Sequence, residues 1–194
     1  MTAPAPGQEA PVPATAPQRP ALGQVMAGCT VLVTADRRSG ELAAALIRRG
    51  AEVRHAPALS MVPNEDDEAL LAGTRDLIAR PPDVVVVTTG IGFRGWIEAA
   101  DAHGLADELL AVMGGARLVA RGPKARGAIQ AAGLQADWVA ESETSGEIAD
   151  VLLGEGVDGL RIAVQHHGAG ADGLDTVFAQ AGADVASLIV YRWG

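Results

Sequence analysis

Short runs of β-branched residues alternate with longer Ala- and Leu-rich segments along most of this chain, and this alternation constrains its fold more than any other feature. The alternation begins at Gly28, and its clearest strand-like run is DVVVVTT, Asp83–Thr89. A short apolar run bounded by turn residues is typical of a strand that is buried on both faces. Such strands, separated by amphipathic helices, predict β-α units and a parallel sheet.

Seven strands are predicted from these runs, with helices in the gaps between them. Three of the helices are followed by a glycine that we expect to form a left-handed C-cap, at Gly50, Gly133 and Gly182. The sequence therefore predicts an α/β fold with flavodoxin-like parallel sheets and flanking helices, a fold that many enzyme classes share. The predicted strands are Cys29–Ala35, Ala51–Pro57, Asp83–Thr89, Ala116–Arg121, Asp137–Glu141, Leu160–His166 and Asp184–Trp193.

Composition and charge argue against several classes of protein. The formal net charge is -9 and no run of Lys or Arg is longer than a pair, so nucleic acid is not an expected partner. The one cysteine, Cys29, excludes an intramolecular disulfide framework. The N-terminus is Pro/Ala-rich without a basic leader, which predicts a disordered tail over residues 1–27. No apolar run approaches the roughly 20 residues of a membrane span, and we expect a cytoplasmic protein.

The regular alternation breaks between Ala56 and Asp67, where two prolines and an acidic cluster follow a strand directly. We interpret this segment as a crossing between two domains. It leaves a single β-α-β unit in residues 28–62, and two parallel strands need more sheet beside them. The rest of that sheet is therefore expected either to be missing or to lie beyond Gly194.

The residues Gly90–Gly95 follow a predicted strand with the spacing G-x-G-x-x-G of dinucleotide-binding turns. That function also requires an acidic residue about 20 positions later, at the end of the next strand, which here ends in Arg121. Two other interpretations remain. The glycines allow close helix–sheet packing, or the turn presents backbone N–H groups and the Thr88 and Thr89 hydroxyls to an anionic ligand. We favour the ligand-binding interpretation.

A second turn of the same kind follows the next strand, at Arg121–Ala125. Gly122 is followed by proline, a frequent first residue of a helix, and then by Lys124, the only lysine of the chain. A cation in the first turn opposes the helix dipole, so Lys124 is either kept for a ligand or is an ordinary solvated lysine. Two such turns on one sheet edge predict a carboxylate-rich or phosphate-bearing ligand.

The adjacent histidines His166 and His167 invite a metal interpretation. Neighbouring residues of a strand point to opposite faces, and no Cys/Asp/His cluster completes a ligand set, so we expect no metal. His167 is instead a candidate to face a ligand from the strand-end turn. Ser39 and Ser145 have no base beside them in a recognisable triad pattern, and we expect no covalent catalysis.

The order of these motifs resembles that of the uroporphyrinogen-III synthase family. The resemblance extends from about Gly28 to the end of the chain, and the order and spacing of the motifs are fairly specific. The stretches concerned are VTTGIGF (Val87–Phe93), RGPKARGAIQAAGL (Arg121–Leu134), ETSGEIADVLL (Glu143–Leu153), AVQHHGAGADGLDTVFAQAGADV (Ala163–Val185) and LIVYRW (Leu188–Trp193).

This resemblance implies a fold of two α/β domains joined by a pair of crossing strands, one domain being built from both chain ends. Residues 28–62 would begin domain one, residues 63–190 would form domain two, and residues 191–194 would start the return linker. The rest of domain one would then be absent, so that residues 1–194 alone would not turn over substrate.

The resemblance also implies an activity, the cofactor-free cyclisation of hydroxymethylbilane to uroporphyrinogen III in tetrapyrrole biosynthesis. The partner would be this small-molecule substrate, and the protein would be a monomer. The stretches TADRR, TTGIGFRGW and RGPKA resemble those of a subgroup in which a winged-helix regulator follows the synthase-like region. A non-catalytic tetrapyrrole- or anion-sensing domain of a transcriptional regulator is therefore the alternative.

Site residues also follow from the resemblance. Tyr191 matches the linker tyrosine that is proposed to assist departure of the substrate hydroxyl, although an aromatic residue that fixes the strand crossing is an equal alternative. Thr89 stands where the family often has serine, and Ala125 where it usually has threonine. Lys124 is a candidate to replace that lost hydroxyl.

Backbone groups and arginines complete the expected site. Gly90 and Gly122 would contribute the N–H-bearing turns that bind substrate. Arg37 or Arg38, after the first strand, lies near a position where family members often carry arginine, which suits a bidentate grip on an acetate or propionate. A solvated arginine is the alternative at either position.

Overall fold

The described part of the chain forms two compact units, residues 1–58 and residues 59–194, in a computed structural model that describes residues 23–59, 61–63, 68–166 and 172–193. The helices are α1 Ser39–Ile47, α2 Glu68–Ala79, α3 Gly90–Ala102, α4 Ala106–Gly115, α5 Pro123–Ala131, α6 Ser145–Glu155 and α7 Leu174–Gln180. The strands are β1 Thr30–Val33, β2 Glu52–His55, β3 Met61–Pro63, β4 Val84–Val87, β5 Arg117–Ala120, β6 Trp138–Val139, β7 Arg161–His166, β8 Asp184–Ile189 and β9 Tyr191–Trp193.

The first unit contains the predicted β-α-β motif and buries little of it. Strand β1 runs parallel to β2, with Thr30 opposite Glu52 and Val33 opposite His55. Helix α1 contains no fully buried residue. Four large apolar side chains are exposed in the described part of this unit, those of Val25, Leu32, Leu42 and Ile47. Two parallel strands and one helix are too few to cover each other's apolar surface.

The second unit is a five-stranded parallel sheet in the order β6-β5-β4-β7-β8. Helices α2 to α5 pack on one face, and α6 and α7 pack on the other. The predicted α/β class with parallel sheets and flanking helices is confirmed, and the strand order refines it. The chain moves outward from β4 through β5 to β6, then crosses to β7 and β8, which is a 3-2-1-4-5 order. The direction of winding therefore reverses between β4 and β7, at the position where ligands bind in open α/β sheets.

Strand β4 shows why its sequence is apolar throughout instead of alternating. Val85 and Val87 pack into the core beneath α2 to α5, whereas Val84 and Val86 pack into the core beneath α6 and α7. All four valines are buried because both faces of the strand are covered. Burying a side chain of this kind stabilises the fold by roughly 1.5–3 kcal/mol, so this strand anchors both layers.

The largest difference from the predicted strands lies at the end of the chain. The predicted strand Asp184–Trp193 is interrupted at Val190, because β9 leaves the parallel sheet and pairs antiparallel with β3. In this pair Tyr191 lies opposite Pro63. The sequence did not predict β3, since three residues show no periodicity and proline argues against a strand.

Two further expectations concern the N-terminal tail and the absence of a membrane-spanning segment. The predicted disordered tail falls largely on residues 1–22, which lie outside the described residues. Among the helices that are described, none is both long enough and apolar enough to cross a bilayer.

Candidate anion-binding site at the carboxyl edge of the sheet

The turn between β4 and α3 is held in place by Gln165 at the end of β7. The Thr88 Oγ1 donates to the Gln165 carbonyl oxygen at 2.7 Å, and the Thr88 N–H donates to the same oxygen at 3.3 Å. The Thr89 N–H donates to Gln165 Oε1 at 3.3 Å. The Thr88 hydroxyl was expected to face a ligand, but it is buried and serves the fold instead.

Thr89 caps helix α3 but satisfies only some of the N–H groups in its first turn. Its extended backbone places Oγ1 to accept the Gly92 N–H at 3.1 Å. The Phe93 N–H then donates to the Thr89 carbonyl oxygen at 3.0 Å and begins the helical pattern. The N–H groups of Gly90 and Ile91 therefore have no acceptor within the helix, and they lie at its positive end.

The glycines of the G-x-G-x-x-G stretch are explained by close contacts inside the protein. A methyl group on Gly90 would overlap the Lys124 carbonyl oxygen and lie 2.8 Å from the carbonyl carbon. A methyl group on Gly92 would overlap Gln165 Nε2 and lie 2.7 Å from Thr89 Oγ1. The packing interpretation therefore holds for both glycines. It also brings the start of α3 against the start of α5.

The start of α5 has no side-chain cap. Gly122 is extended and makes no such bond, and the first helical bond runs from the Arg126 N–H to the Gly122 carbonyl oxygen at 3.0 Å. Pro123 has no N–H, so the donors without a helical acceptor are those of Lys124 and Ala125. The Lys124 side chain is exposed, as a ligand contact would require. Two helix starts with open donors thus meet at one sheet edge.

Glu143 also lies at this edge, and it was not among the expected site residues, although it begins one of the stretches that carry the family resemblance. Its backbone is in the left-handed region, with φ of 56°, which non-glycine residues adopt rarely. Its side chain packs on Gly122, since a methyl group there would lie 3.0 Å from both Cγ and Oε2 of Glu143. A carboxylate of the protein thus lies over the start of α5, and any anionic ligand at this position would have to compete with it.

Helix α6 begins with a threonine cap and has an acidic residue, Glu147, in its first turn. Thr144 Oγ1 accepts the Glu147 N–H at 3.2 Å, in the pattern of a capping box. The Glu147 carboxylate accepts N–H groups from Ser142 at 2.7 Å and from Glu141 at 3.0 Å. The hydrogen bond from the Ser142 hydroxyl and these backbone bonds lower the pKa of Glu147. Thr144 thus caps α6 in the way that Thr89 caps α3, and the Glu147 carboxylate binds the N–H groups of the two residues that precede this cap by two and three positions.

A buried polar cluster at the end of β7 lies on the opposite face of the sheet. His166 is fully buried, with Nε2 at 2.9 Å from Asp175 Oδ1 and Nδ1 at 3.3 Å from Asp172 Oδ1. The Ser187 hydroxyl donates to Asp175 as well. Burial lowers the pKa of His166, but hydrogen bonds and charge attraction from Asp172 and Asp175 outweigh it and raise that pKa to about 9. The imidazole is therefore cationic at neutral pH and ties β7 to the start of α7.

Replacing His166 with glutamine is expected to destabilise the protein in a pH-dependent way. Because the folded-state pKa lies above the unfolded value of about 6.5, the charged imidazole stabilises the fold fully below about pH 6.5. That stabilisation is lost as the pH rises through about 9. Denaturant unfolding should show a loss of about 2 kcal/mol for His166→Gln near pH 6, and a clearly smaller loss near pH 10. The exposed His103→Gln is the control, and a pH-independent loss would contradict the prediction.

Comparison with known proteins identifies the family. The family model described as uroporphyrinogen-III synthase HemD matches residues 40–194, most of the chain. The chain belongs to the uroporphyrinogen-III synthase family. The resemblance found in the sequence motifs is thereby confirmed. The fusion to a winged-helix regulator stays a prediction.

Solved synthase structures show the same fold. A mutant uroporphyrinogen III synthase from Thermus thermophilus is 26% identical with a TM-score of 0.67, covering 86% of this chain and 63% of that one. The wild-type enzyme of that bacterium is 28% identical with a TM-score of 0.64, over 86% and 62% of the two chains. An uncharacterized protein from Bacillus subtilis, YjjA, is 25% identical over 88% of this chain and 63% of its own. The chain thus spans less than two thirds of the length of these relatives.

The remaining residues expected from the synthase family lie in different environments. Tyr191 is 5% exposed, and its ring belongs to the core beneath α2 to α5. Arg37 and Arg38 are exposed in the first unit, where Arg38 forms a surface ion pair with Glu41 at 2.8 Å. His167 lies outside the described residues. The structure therefore brings together Thr89, Gly90, Gly122 and Lys124, the four expected residues of the two turns.

Proposed function

We propose that this chain binds hydroxymethylbilane and belongs to an enzyme, a lyase, that cyclises it to uroporphyrinogen III with inversion of the last pyrrole ring. The observation that supports this proposal most is the contact between the starts of α3 and α5. Gly90 packs against the Lys124 carbonyl group, so the starts of the two helices, each with N–H groups that have no helical acceptor, are in contact. They do so beside the switch point between β4 and β7.

The chemistry of the substrate fits this arrangement. Hydroxymethylbilane is a flexible linear tetrapyrrole with acetate and propionate side chains. In the proposal, Thr89 donates its hydroxyl hydrogen, the helix starts donate N–H groups, and Lys124 supplies the charge that binds these carboxylates. Holding a flexible chain in a folded conformation lowers the entropic barrier to ring closure.

The reaction needs acid catalysis but no change of oxidation state. The terminal hydroxymethyl group accepts a proton and leaves as water, which generates a cationic azafulvene that closes through a spiro intermediate. We propose the Tyr191 phenol as the hydrogen-bond donor to the leaving oxygen. Because its ring is packed in the core, the phenol would be held in a fixed position for this role.

The domain organisation is part of the same proposal. Residues 28–62 would form one piece of domain one, and residues 63–190 would form domain two. The exposed apolar side chains of Leu32, Leu42 and Ile47 support this assignment, because a complete α/β domain covers such side chains with further structure.

The test of the proposed activity is cyclisation of enzymatically generated hydroxymethylbilane by the full-length gene product. Oxidation of the products to porphyrins allows isomer III to be separated from isomer I, which forms spontaneously. We expect isomer III in excess. Isomer I alone from a folded full-length protein would refute the catalytic proposal, and tight substrate binding without isomer III would favour a sensing role.

Two substitutions, one in the first turn of α5 and one in the side chain that packs on Gly122, test the site with opposite expected signs. Lys124→Met removes a cation and should raise the KM for hydroxymethylbilane by about tenfold. Glu143→Gln removes the competing carboxylate and should lower the KM. The exposed Glu108→Gln on α4 is the control for a change of charge and should leave the KM unchanged. A KM that moves in the same direction in both site variants would place the substrate elsewhere.

A further inference from the structure

Gln165 is a buried polar residue at the carboxyl edge of the sheet that neither the sequence motifs nor the family resemblance singled out. Its side chain is 0% exposed. It follows Val164 in β7 and lies opposite Val87 of β4, directly beside the switch point. Burying a carboxamide is unfavourable unless its oxygen and nitrogen both find partners.

Both polar atoms of this carboxamide are hydrogen-bonded to the backbone, one in the turn before α3 and the other at the last residue of β7. Oε1 accepts the Thr89 N–H at 3.3 Å, and Nε2 donates to the His166 carbonyl oxygen. The absence of a side chain at Gly92 provides the space that the carboxamide occupies. Gln165 therefore connects the Thr89 turn to the end of β7 through its side chain, in addition to the bonds from its main-chain carbonyl group.

We propose that Gln165 is a positioning residue of the substrate site, which holds the Thr89 turn so that the Thr89 hydroxyl and the N–H groups of Gly90 and Ile91 face the ligand. This inference rests on the proposed function and extends it. The proposal follows from which hydrogen bonds the Gln165 and Thr89 side chains make in the absence of a ligand. Gln165 Oε1 accepts the Thr89 N–H, and Thr89 Oγ1 accepts the Gly92 N–H. These two hydrogen bonds fix the orientation of the turn before any ligand binds.

The experiment compares three variants of the full-length protein with uroporphyrin III as the probe, measured by fluorescence titration. Gln165→Leu keeps the size of the side chain but removes both hydrogen bonds. Gln165→Glu keeps the acceptor for the Thr89 N–H, and it restores a donor to the His166 carbonyl oxygen only when the carboxyl group is protonated. Gln135→Glu, at an exposed position, controls for the added charge.

The expected result is a pH-dependent rescue. Gln165→Leu should bind the probe about tenfold more weakly than the wild type at every pH. Gln165→Glu should be similarly weak at high pH and approach wild-type affinity as the pH falls. The other titratable groups nearby are His166 with Asp172 and Asp175 across the sheet, Lys124 on α5, and Glu143 over the start of α5. Their titration is common to the wild type, so the ratio of affinities at each pH removes it.

Hydrogen exchange separates this inference from the proposed function. In the ligand-free protein, Gln165→Leu should speed exchange of the Thr89 and Gly92 amides, while the amides of β4 keep wild-type protection. Unchanged exchange at Thr89, or equal affinity in all variants, would overturn the positioning role. If the wild type fails to bind the probe although Thr89 exchange responds to Gln165→Leu, the proposed function and the ligand part of the inference fail together.

Discussion

Alanine at position 90 is expected to destabilise the second unit by about 3 kcal/mol, the largest effect on stability that we predict for a single methyl group in this protein. The new carbon would overlap the Lys124 carbonyl oxygen and lie 2.8 Å from its carbonyl carbon. Both atoms are backbone, so no side chain can rotate away, and α3 has to separate from α5. The separation would loosen the contact between the two helices and the buried side chains beneath them.

Denaturant unfolding of Gly90→Ala measures this effect, and Gly127→Ala is the matched control. Gly127 lies in α5 and has open space where the methyl group of an alanine would lie, so alanine there should stabilise by about 0.5–1 kcal/mol through helix propensity. The two substitutions make the same chemical change with opposite expected signs. A Gly90→Ala protein as stable as the wild type would show that α3 and α5 can separate without cost.

Phenylalanine in place of Tyr191 is expected to lower kcat for isomer III by about a hundredfold, the largest catalytic effect of a single side chain that we predict. The substitution removes the proposed donor to the leaving oxygen. It keeps the ring, which packs in the core beneath α2 to α5. The free energy of unfolding should therefore change by no more than about 1 kcal/mol.

Cyclisation kinetics and denaturant unfolding on the full-length protein distinguish the two roles of this tyrosine. Tyr191→Leu should lose stability as well as activity, because it removes the ring together with the hydroxyl. Tyr191 is the only tyrosine of residues 1–194, so tyrosine labelled with carbon-13 at Cζ alone adds a single resonance from this chain, which reports on the phenol. Wild-type kcat in the Tyr191→Phe variant would show that the residue acts only as an aromatic that fixes the strand crossing.

The α/β class and the two turns could be predicted from local patterns. The run Val84–Val87 is apolar throughout because both faces of β4 are covered. Four consecutive apolar residues are enough to predict such a buried strand. Thr89 and Gly122 each follow a strand and precede a helix, and carboxyl ends of parallel strands meet at one edge. Their proximity was therefore predictable without coordinates, and the structure agrees.

Other members of the site could not be predicted, because their contacts join distant parts of the chain. Gln165 reaches Thr89 across 76 positions, and nothing in the letters around it marks a buried carboxamide. Glu143 has a left-handed backbone angle and lies on Gly122, and the residues around it in the sequence predict neither property. Strand β3 exists because β9 pairs with it, and three residues including a proline carry no periodicity of their own.

Gly90 and Gly92 show most directly which properties the sequence determines and which depend on the tertiary structure. By itself the sequence determined that a strand ends at this point, that a helix begins, and that a side chain is absent at two positions. It did so because periodicity and capping are short-range and act within a few residues. Only the tertiary structure decided what fills the space at these glycines, the Lys124 carbonyl group and the Gln165 carboxamide. Packing depends on which distant segments the fold brings into contact, and that is a property of the whole chain.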